Sequence, residues 1–320
     1  MSEEIWFPYE GIEESKWKGV TERLINEFPI RMETIRNIVL NSWDEIFTIS
    51  NASQDFAIGT TVFPKPQILG FFLEEIVTQK ISKLDSTTWE PDPTGYSKDL
   101  VNTKEPKYSL EIKTSSSENK IFGNRSYGKK GNSKKKSKDG YYLAINYEQF
   151  DLEEQSKQPQ INLIRFGYLN HDDWVSQKAE TGQQAHLPAN VELAKLLPIY
   201  VNFKKAFYNN FSKINNEQFK KSLGIIINYL QDNYPTLNYK ARASKVTLFD
   251  SNGMSISFSF RKNCLIVFPD TTILEEFSKQ IKQEGFKKKS TSFEIDYEKD
   301  ISLTLLRNVI LKSFHLELET

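Results

Sequence analysis

Asp99, Glu111 and Lys113 are the residues whose types and spacing best suit a reaction. Hydrolysis of a phosphodiester needs a hard cation to hold the scissile phosphate and lower the pKa of an attacking water, and such a cation takes carboxylate and carbonyl oxygens. Two carboxylates suffice if they converge. Asp99-Leu100-Val101 reads as a short strand, Lys104-Glu105-Pro106-Lys107 as a turn, and Tyr108 to Thr114 as a second strand. That order brings Asp99 beside Glu111. In the second strand Tyr108, Leu110 and Ile112 alternate with Ser109, Glu111 and Lys113, which puts the apolar side chains on one face and the charged pair on the other. The backbone carbonyl of Ile112 lies between the two charged residues and joins Asp99 and Glu111 as a candidate magnesium ligand. Lys113 is then placed to contact the phosphate, to orient or help deprotonate the water, and to supply positive charge as the transition state gathers negative charge. A Glu-x-Lys pair taken alone also reads as an exposed salt bridge, so the surrounding elements carry the distinction.

Those elements are legible on both sides of the pair. Trp17, Val20, Thr21, Leu24 and Ile25 recur at helical spacing, as do Ile35, Ile38, Val39 and Trp43. After the breaker Phe63-Pro64-Lys65-Pro66, the residues Ile68, Leu69, Phe72, Leu73, Ile76 and Val77 form one apolar stripe, which predicts an amphipathic helix over 67–82. Glu74 and Glu75 flank that stripe; Glu74 is a candidate assistant to metal or water, and Glu75 reads as solvated. Residues 115–140 are rich in Ser, Lys, Asn and Gly and read as a long, mobile or substrate-ordered loop. Apolar runs at 141–147 and 161–169 extend the sheet, 172–197 reads as mainly helical, and 204–214 is amphipathic.

Composition narrows the function classes. The chain has 320 residues, 38% hydrophobic and 13% aromatic, which is enough to bury cores and suggests about two domains. A single cysteine, Cys264, excludes an intramolecular disulfide framework and a cysteine-rich zinc site. The acidic start, Met-Ser-Glu-Glu, and the lack of a long apolar run point to a cytoplasmic protein. Net charge is zero, but Lys98 to Gly140 carries twelve basic residues against five acidic ones, a local excess suited to phosphates.

With an acid on one strand, Glu-x-Lys on the next and a helical Glu upstream, the sequence resembles the PD-(D/E)xK nuclease superfamily. The literal Pro91-Asp92 pair matches the family name, yet Asp99 is preferred, because its neighbours read as strand and those of Asp92 as loop. A second resemblance is narrower. Leu110-Glu111-Ile112-Lys113-Thr114-Ser115-Ser116, Ile121-Phe122-Gly123-Asn124-Arg125-Ser126-Tyr127-Gly128, Arg165-Phe166-Gly167-Tyr168, His171-Asp172-Asp173-Trp174 and Thr181-Gly182-Gln183-Gln184-Ala185 are similar to words of type II restriction endonucleases of the ScaI group. The likeness spans about residues 10–205. It implies an α/β fold with a mixed central sheet flanked by helices, and Mg2+-dependent cleavage of a short double-stranded DNA site. It further implies a homodimer, with a cognate DNA methyltransferase as a genetic partner.

Several residues are candidate DNA contacts. Asn124, Arg125, Ser126 and Tyr127 sit in a turn-forming stretch, and Arg and Asn pair bidentately with guanine and adenine. Gln183 and Gln184 offer amides, and Lys129, Lys130, Lys134, Lys135, Lys136 and Lys138 offer phosphate attraction. His171 and His186 lack a visible nucleophile or metal partner and read as structural or peripheral. Beyond residue 214 a helix, three strands, a helix, a strand and a helix predict a separate α+β domain over 215–320, suited to DNA contact, recognition or dimerisation. Alternative readings are a repair or recombination nuclease of the same fold, a noncatalytic DNA-binding protein, and a carbohydrate enzyme using Asp99 and Glu111 as paired carboxylates.

Overall fold

In a computed structural model that describes residues 7–53, 55–128, 138–151, 153, 157–177 and 184–317, the chain divides into two compact units, Met1–Tyr200 and Val201–Thr320. The first unit opens with helices α1 (Trp17–Glu27), α2 (Met32–Ile46) and α3 (Pro66–Ser82). α3 starts with proline at its first position, where no backbone N–H is needed. Leu69, Leu73, Val77 and Ile81, each four residues apart, form its buried face. The stripe is narrower than its sequence suggests: Ile68 and Phe72 are 46% and 37% exposed, and Phe71, outside the stripe, is 69% exposed.

Strands β1 (Trp89–Pro91), β2 (Leu100–Asn102), β3 (Leu110–Ser115), β4 (Phe122–Asn124), β5 (Gly140–Tyr147), β6 (Ile161–Leu169), β7 (Val175–Ser176) and β8 (Gln184–His186) come next, then α4 (Ala189–Lys195) and β9 (Leu196–Val201). The central sheet has the order β1-β2-β3-β5-β6-β9 and is mixed, with β3 and β5 parallel and β1/β2, β2/β3 and β5/β6 antiparallel. A parallel β3/β5 pair needs a crossover, and the chain between them supplies it while adding β4 to a separate three-stranded sheet, β4-β8-β7. Among the described residues of 172–197, expected to be mainly helical, only Ala189–Lys195 is α-helix, because Gln184–His186 pairs with the distant β4 and Val175–Ser176 pairs with Gln184–His186 in turn. One face of the central sheet packs on α1–α3 through a core in which the ring of Phe28 lies 4.8 Å from those of both Tyr141 and Phe166.

The second unit begins earlier than residue 215. Phe203, Ala206, Phe207 and Ile214 belong to its apolar core, so the segment carrying α5 (Lys204–Tyr208) folds with the C-terminal elements. It contains α6 (Glu217–Asn233), β10 (Asn238–Arg242), β11 (Lys245–Phe249), β12 (Ser255–Phe260), β13 (Cys264–Phe268), α7 (Thr271–Glu276), α8 (Ser278–Gln283), β14 (Lys287–Lys288), β15 (Phe293–Asp296) and α9 (Leu303–Ser313). Its sheet, β10-β11-β12-β13-β15-β14, is antiparallel throughout. This is an α+β arrangement with β10 and β14 beyond the expected strands and with the helix expected after the third strand broken into two at Phe277.

Candidate active site

β3 is paired along both edges in the six-stranded sheet, and both of its faces are covered, one by the core that holds Leu110 and Ile112 and the other by Tyr127. Glu111 consequently lies 1% exposed rather than at a solvated surface. A carboxylate in that position must be hydrogen-bonded or paired to stay charged. Its Oε1 accepts from Lys113 Nζ at 2.6 Å and from the hydroxyl of Tyr127 at 2.5 Å. The exposed salt bridge is thus not what forms: the Lys113 side chain is only 19% exposed.

Asp99 is half-buried and sits one residue before β2, not within it. The antiparallel pairing of Leu100 with Leu110 brings it alongside β3, where its Oδ2 accepts the N–H of Ile112 at 2.7 Å. The Ile112 carbonyl accepts from Lys113 Nζ at 3.1 Å. One cation, the Lys113 ammonium, is therefore already seated on two of the three oxygens expected to hold magnesium. Burial works to lower the pKa of Lys113, but Glu111, Asp99 and Glu74 together outweigh it and raise the value, so the side chain is an ammonium and not a ready base. The donor set of two carboxylates and one carbonyl is all oxygen, which fits a hard divalent ion.

Glu74 reaches the site through α3. A Cβ on Gly70 would lie 2.6 Å from Thr114 Oγ1, so only glycine allows the helix to approach β3 this closely. Glu74, one turn further on, lies near enough to influence Lys113 and Tyr127. Among the described residues no three His, Cys, Asp or Glu side chains form a compact metal cluster. Asp92, the alternative acid, is occupied in its own loop: its carboxylate accepts from the Thr94 N–H and hydroxyl and from the Ser97 N–H.

Tyr127 needs a correction. Expected to contact DNA, it is 6% exposed, packs edge-on against Trp174 with ring centroids 4.9 Å apart, and donates its hydroxyl to Glu111. Burial, followed by the nearby Glu111 carboxylate, pushes its pKa far up and keeps the phenol neutral. Its ring also lies beneath two ammonium groups, Lys138 at 3.7 Å and Lys113 at 5.3 Å from the centroid. Lys98 leaves the phosphate-facing set, since it is buried with Nζ 4.9 Å from the Tyr142 ring centroid.

The other expected DNA contacts divide. Asn124, Ser126 and Gln184 are exposed, and β4/β8 pairing sets Asn124 directly opposite Gln184. Arg125 is half-buried, and its carbonyl accepts the Ser176 hydroxyl at 3.0 Å. His171 opens a 3-10 turn, and its backbone N–H donates to Asp139. Lys129, Lys130, Lys134, Lys135, Lys136 and Gln183 lie outside the described residues. Residues that sequence reasoning missed include Asn146 and Arg165, which are buried in the central sheet. Asn146 Nδ2 donates to the carbonyls of Ser117 and Lys120, and Arg165 Nη2 to that of Asn119. They pin the chain between β3 and β4, and no local pattern could have announced it.

Comparison with known proteins gives the family. A DUF1801-family protein from Bacillus subtilis aligns over 33% of this chain and 86% of its own, at 19% identity and a TM-score of 0.29, too low to establish a shared fold. The type II restriction enzyme ScaI of Streptomyces caespitosus is 43% identical over 194 residues, which cover 60% of this chain and 84% of that enzyme. The profile of the ScaI restriction endonuclease family matches residues 7–200, the described extent of the first unit, with Asp99, Glu111 and Lys113 inside it. The chain belongs to the ScaI restriction endonuclease family.

Proposed function

We propose that this type II restriction endonuclease cuts both strands of a short DNA site with a magnesium-dependent centre of PD-(D/E)xK type built on β3. Sequence-specific DNA cleavage follows from the family. The observation that carries the catalytic assignment is the buried Glu111 carboxylate, held by Lys113 at 2.6 Å on β3, with Asp99 just before the adjacent strand bonded to the Ile112 N–H. Asp99, Glu111 and the Ile112 carbonyl would hold magnesium, which polarises the phosphate and makes water a better nucleophile. The chain's own groups do the rest. Tyr127 fixes the Glu111 carboxylate through its hydroxyl. Lys113 remains cationic and stabilises charge developing on the phosphate. Glu74 adds negative potential from α3, and Lys138 adds a cation at the edge of the site.

A palindromic site matches two-fold protein symmetry, which supports a homodimer; Ile68, Phe71 and Phe72 are the exposed apolar surface that α3 offers for it. A DNA methyltransferase guarding the host genome fits as a genetic partner, and such a pair works in the cytoplasm. No helix among the described residues is long and apolar enough to cross a membrane.

Digestion of a phage genome with magnesium or with EDTA, using wild type, Glu111→Ala and Lys113→Ala, tests the assignment. Discrete magnesium-dependent bands lost in both variants are expected. A smear would remove the site specificity, and bands persisting in the Glu111 variant would move the centre elsewhere.

A further inference from the structure

Phosphates are alike at every step of a duplex, so the centre on β3 cannot by itself choose a sequence; base edges must be read by other residues. The small sheet β4-β8-β7 is built for one-sided contact. Its register sets Phe122 opposite His186 and His186 opposite Val175, and sets Asn124 opposite Gln184. The Gln177 N–H donates to the Gln184 carbonyl at 3.0 Å, which continues the register and sets Gln177 opposite Gln184. Directly opposed residues share a face. One face therefore carries two rows, Phe122–His186–Val175 and Asn124–Gln184–Gln177, and all six residues are exposed. The other face is closed: Ala185 is fully buried, and a Cβ on Gly123 would lie 2.7 Å from Tyr127 Cγ.

The chemistry of the exposed face separates base reading from phosphate binding. It has no lysine or arginine. A carboxamide presents a donor and an acceptor side by side, the pattern that pairs with adenine N6 and N7 in the major groove, and apolar side chains meet the thymine methyl. Phe122 and Val175, 37% and 41% exposed, are apolar groups that a small sheet would otherwise cover. The outer strands of the small sheet lie about 10 Å apart, two strand spacings, so the side chains of its exposed face can project together towards a major groove about 12 Å wide. The face is also tied to the chemistry. Tyr127, in the turn directly after β4, donates to Glu111, and the Asn146 and Arg165 hydrogen bonds fix the chain leading into β4.

We infer that this face reads the recognition sequence from the major groove, with Asn124, Gln184 and Gln177 on adenine edges, Phe122 and Val175 on thymine methyls, and His186 between the rows. The inference rests on the reading of the chain as a duplex-DNA endonuclease and adds that its site contains A·T pairs.

Sequencing of the ends that the full-length enzyme leaves on a random-sequence duplex library, with magnesium, tests it. Wild type serves as the control for the endonuclease reading: no discrete end sequence would sink that reading and this one with it. Given discrete wild-type ends, Asn124→Ala, Gln184→Ala and His186→Ala should each relax the preference at a particular position of the half-site. Discrimination at an A·T pair should fall roughly 10- to 100-fold for the two amide variants. Gln184→Glu supplies a gain of function to look for, a preference moved towards cytosine, whose N4 a carboxylate accepts. All four variants alter exposed side chains, and circular dichroism establishes that they fold. Wild-type end sequences at wild-type discrimination in every variant would overturn the inference. So would uniform loss of cutting on all sequences together with dissociation seen by sedimentation, which would make the face a contact between two copies of the chain.

Discussion

The two units bury different things. Among the described residues, Lys98, Glu111, Arg165, Asp173, Glu192 and Lys195 are the buried charged side chains, and all lie in the first unit. The second unit buries an apolar cluster from Phe203 to Phe314, and its buried polar residues, Asn202, Asn210, Gln231, Ser259, Ser292 and Ser313, are all neutral. Burying a charge is costly unless a partner offsets it, so a chain retains such groups where they position something. Lys195 Nζ meets Asp173 at 2.7 Å and lies over two rings, 4.1 Å from the Tyr9 centroid and 4.2 Å from that of Trp17. Arg165 meets Glu192 at 3.6 Å while holding the chain before β4. In the first unit polar groups fix geometry. In the second, the buried polar side chains are neutral, and Asn210 and Gln231 bond to the backbone carbonyls of Ala206 and Val201.

The sharpest break of this contrast is at the site itself. Glu111→Ala should reduce cleavage roughly ten-thousand-fold, because a lost ligand removes several kcal/mol of charge stabilisation; single-turnover rates on a plasmid check it, and cutting within about tenfold of wild type would show the buried carboxylate to be merely structural. Asp173→Ala should strand the Lys195 ammonium in the interior and destabilise the first unit by about 3 to 5 kcal/mol, read by urea unfolding. Leu248 in β11 is fully buried, and Leu248→Ala should lower the stability of the second unit by about 3 kcal/mol while leaving the cleavage rate per folded molecule unchanged. Tyr127→Phe keeps the ring on Trp174 and removes only the hydroxyl from Glu111; about a tenfold slower reaction is expected, the worth of one hydrogen bond to a charged group. Smallest of all, Glu217→Ala deletes an ion pair with Lys220 in which the carboxylate side chain is 83% exposed, and should change stability by less than about 0.5 kcal/mol, read by the same urea unfolding.

Legibility tracks the range of the interactions. The helices at 17–27, 32–46 and 66–82 and the strand at 110–115 repeat apolar residues at their own period, and the strands at 140–147 and 161–169 stand out as apolar runs of strand length. Asp99, Glu111 and Lys113 are legible as a group because a short turn connects their strands. Tyr127 stands out in the sequence for the wrong reason: a tyrosine in a Gly-flanked polar stretch looks exposed until Trp174 and Tyr142 close over it. The strands β7 and β8 read as helix because each is only two or three residues long, and β8 pairs with β4 some sixty residues away. The small, inward Gly123 and Ala185 among polar neighbours are the available signal.

The sequence by itself determined the longer helices and strands, and that Glu111 and Lys113 share a strand with Asp99 brought beside it by a short connection, because periodicity and turn chemistry are local. Only the tertiary structure decided that Glu111 is buried, that Tyr127 holds it, and that Phe122, Asn124, Gln177, Gln184 and His186 share one exposed face. Those facts depend on which distant strand supplies the hydrogen bonds and on what covers each face of a sheet, and a chain does not write either into any single window of its residues.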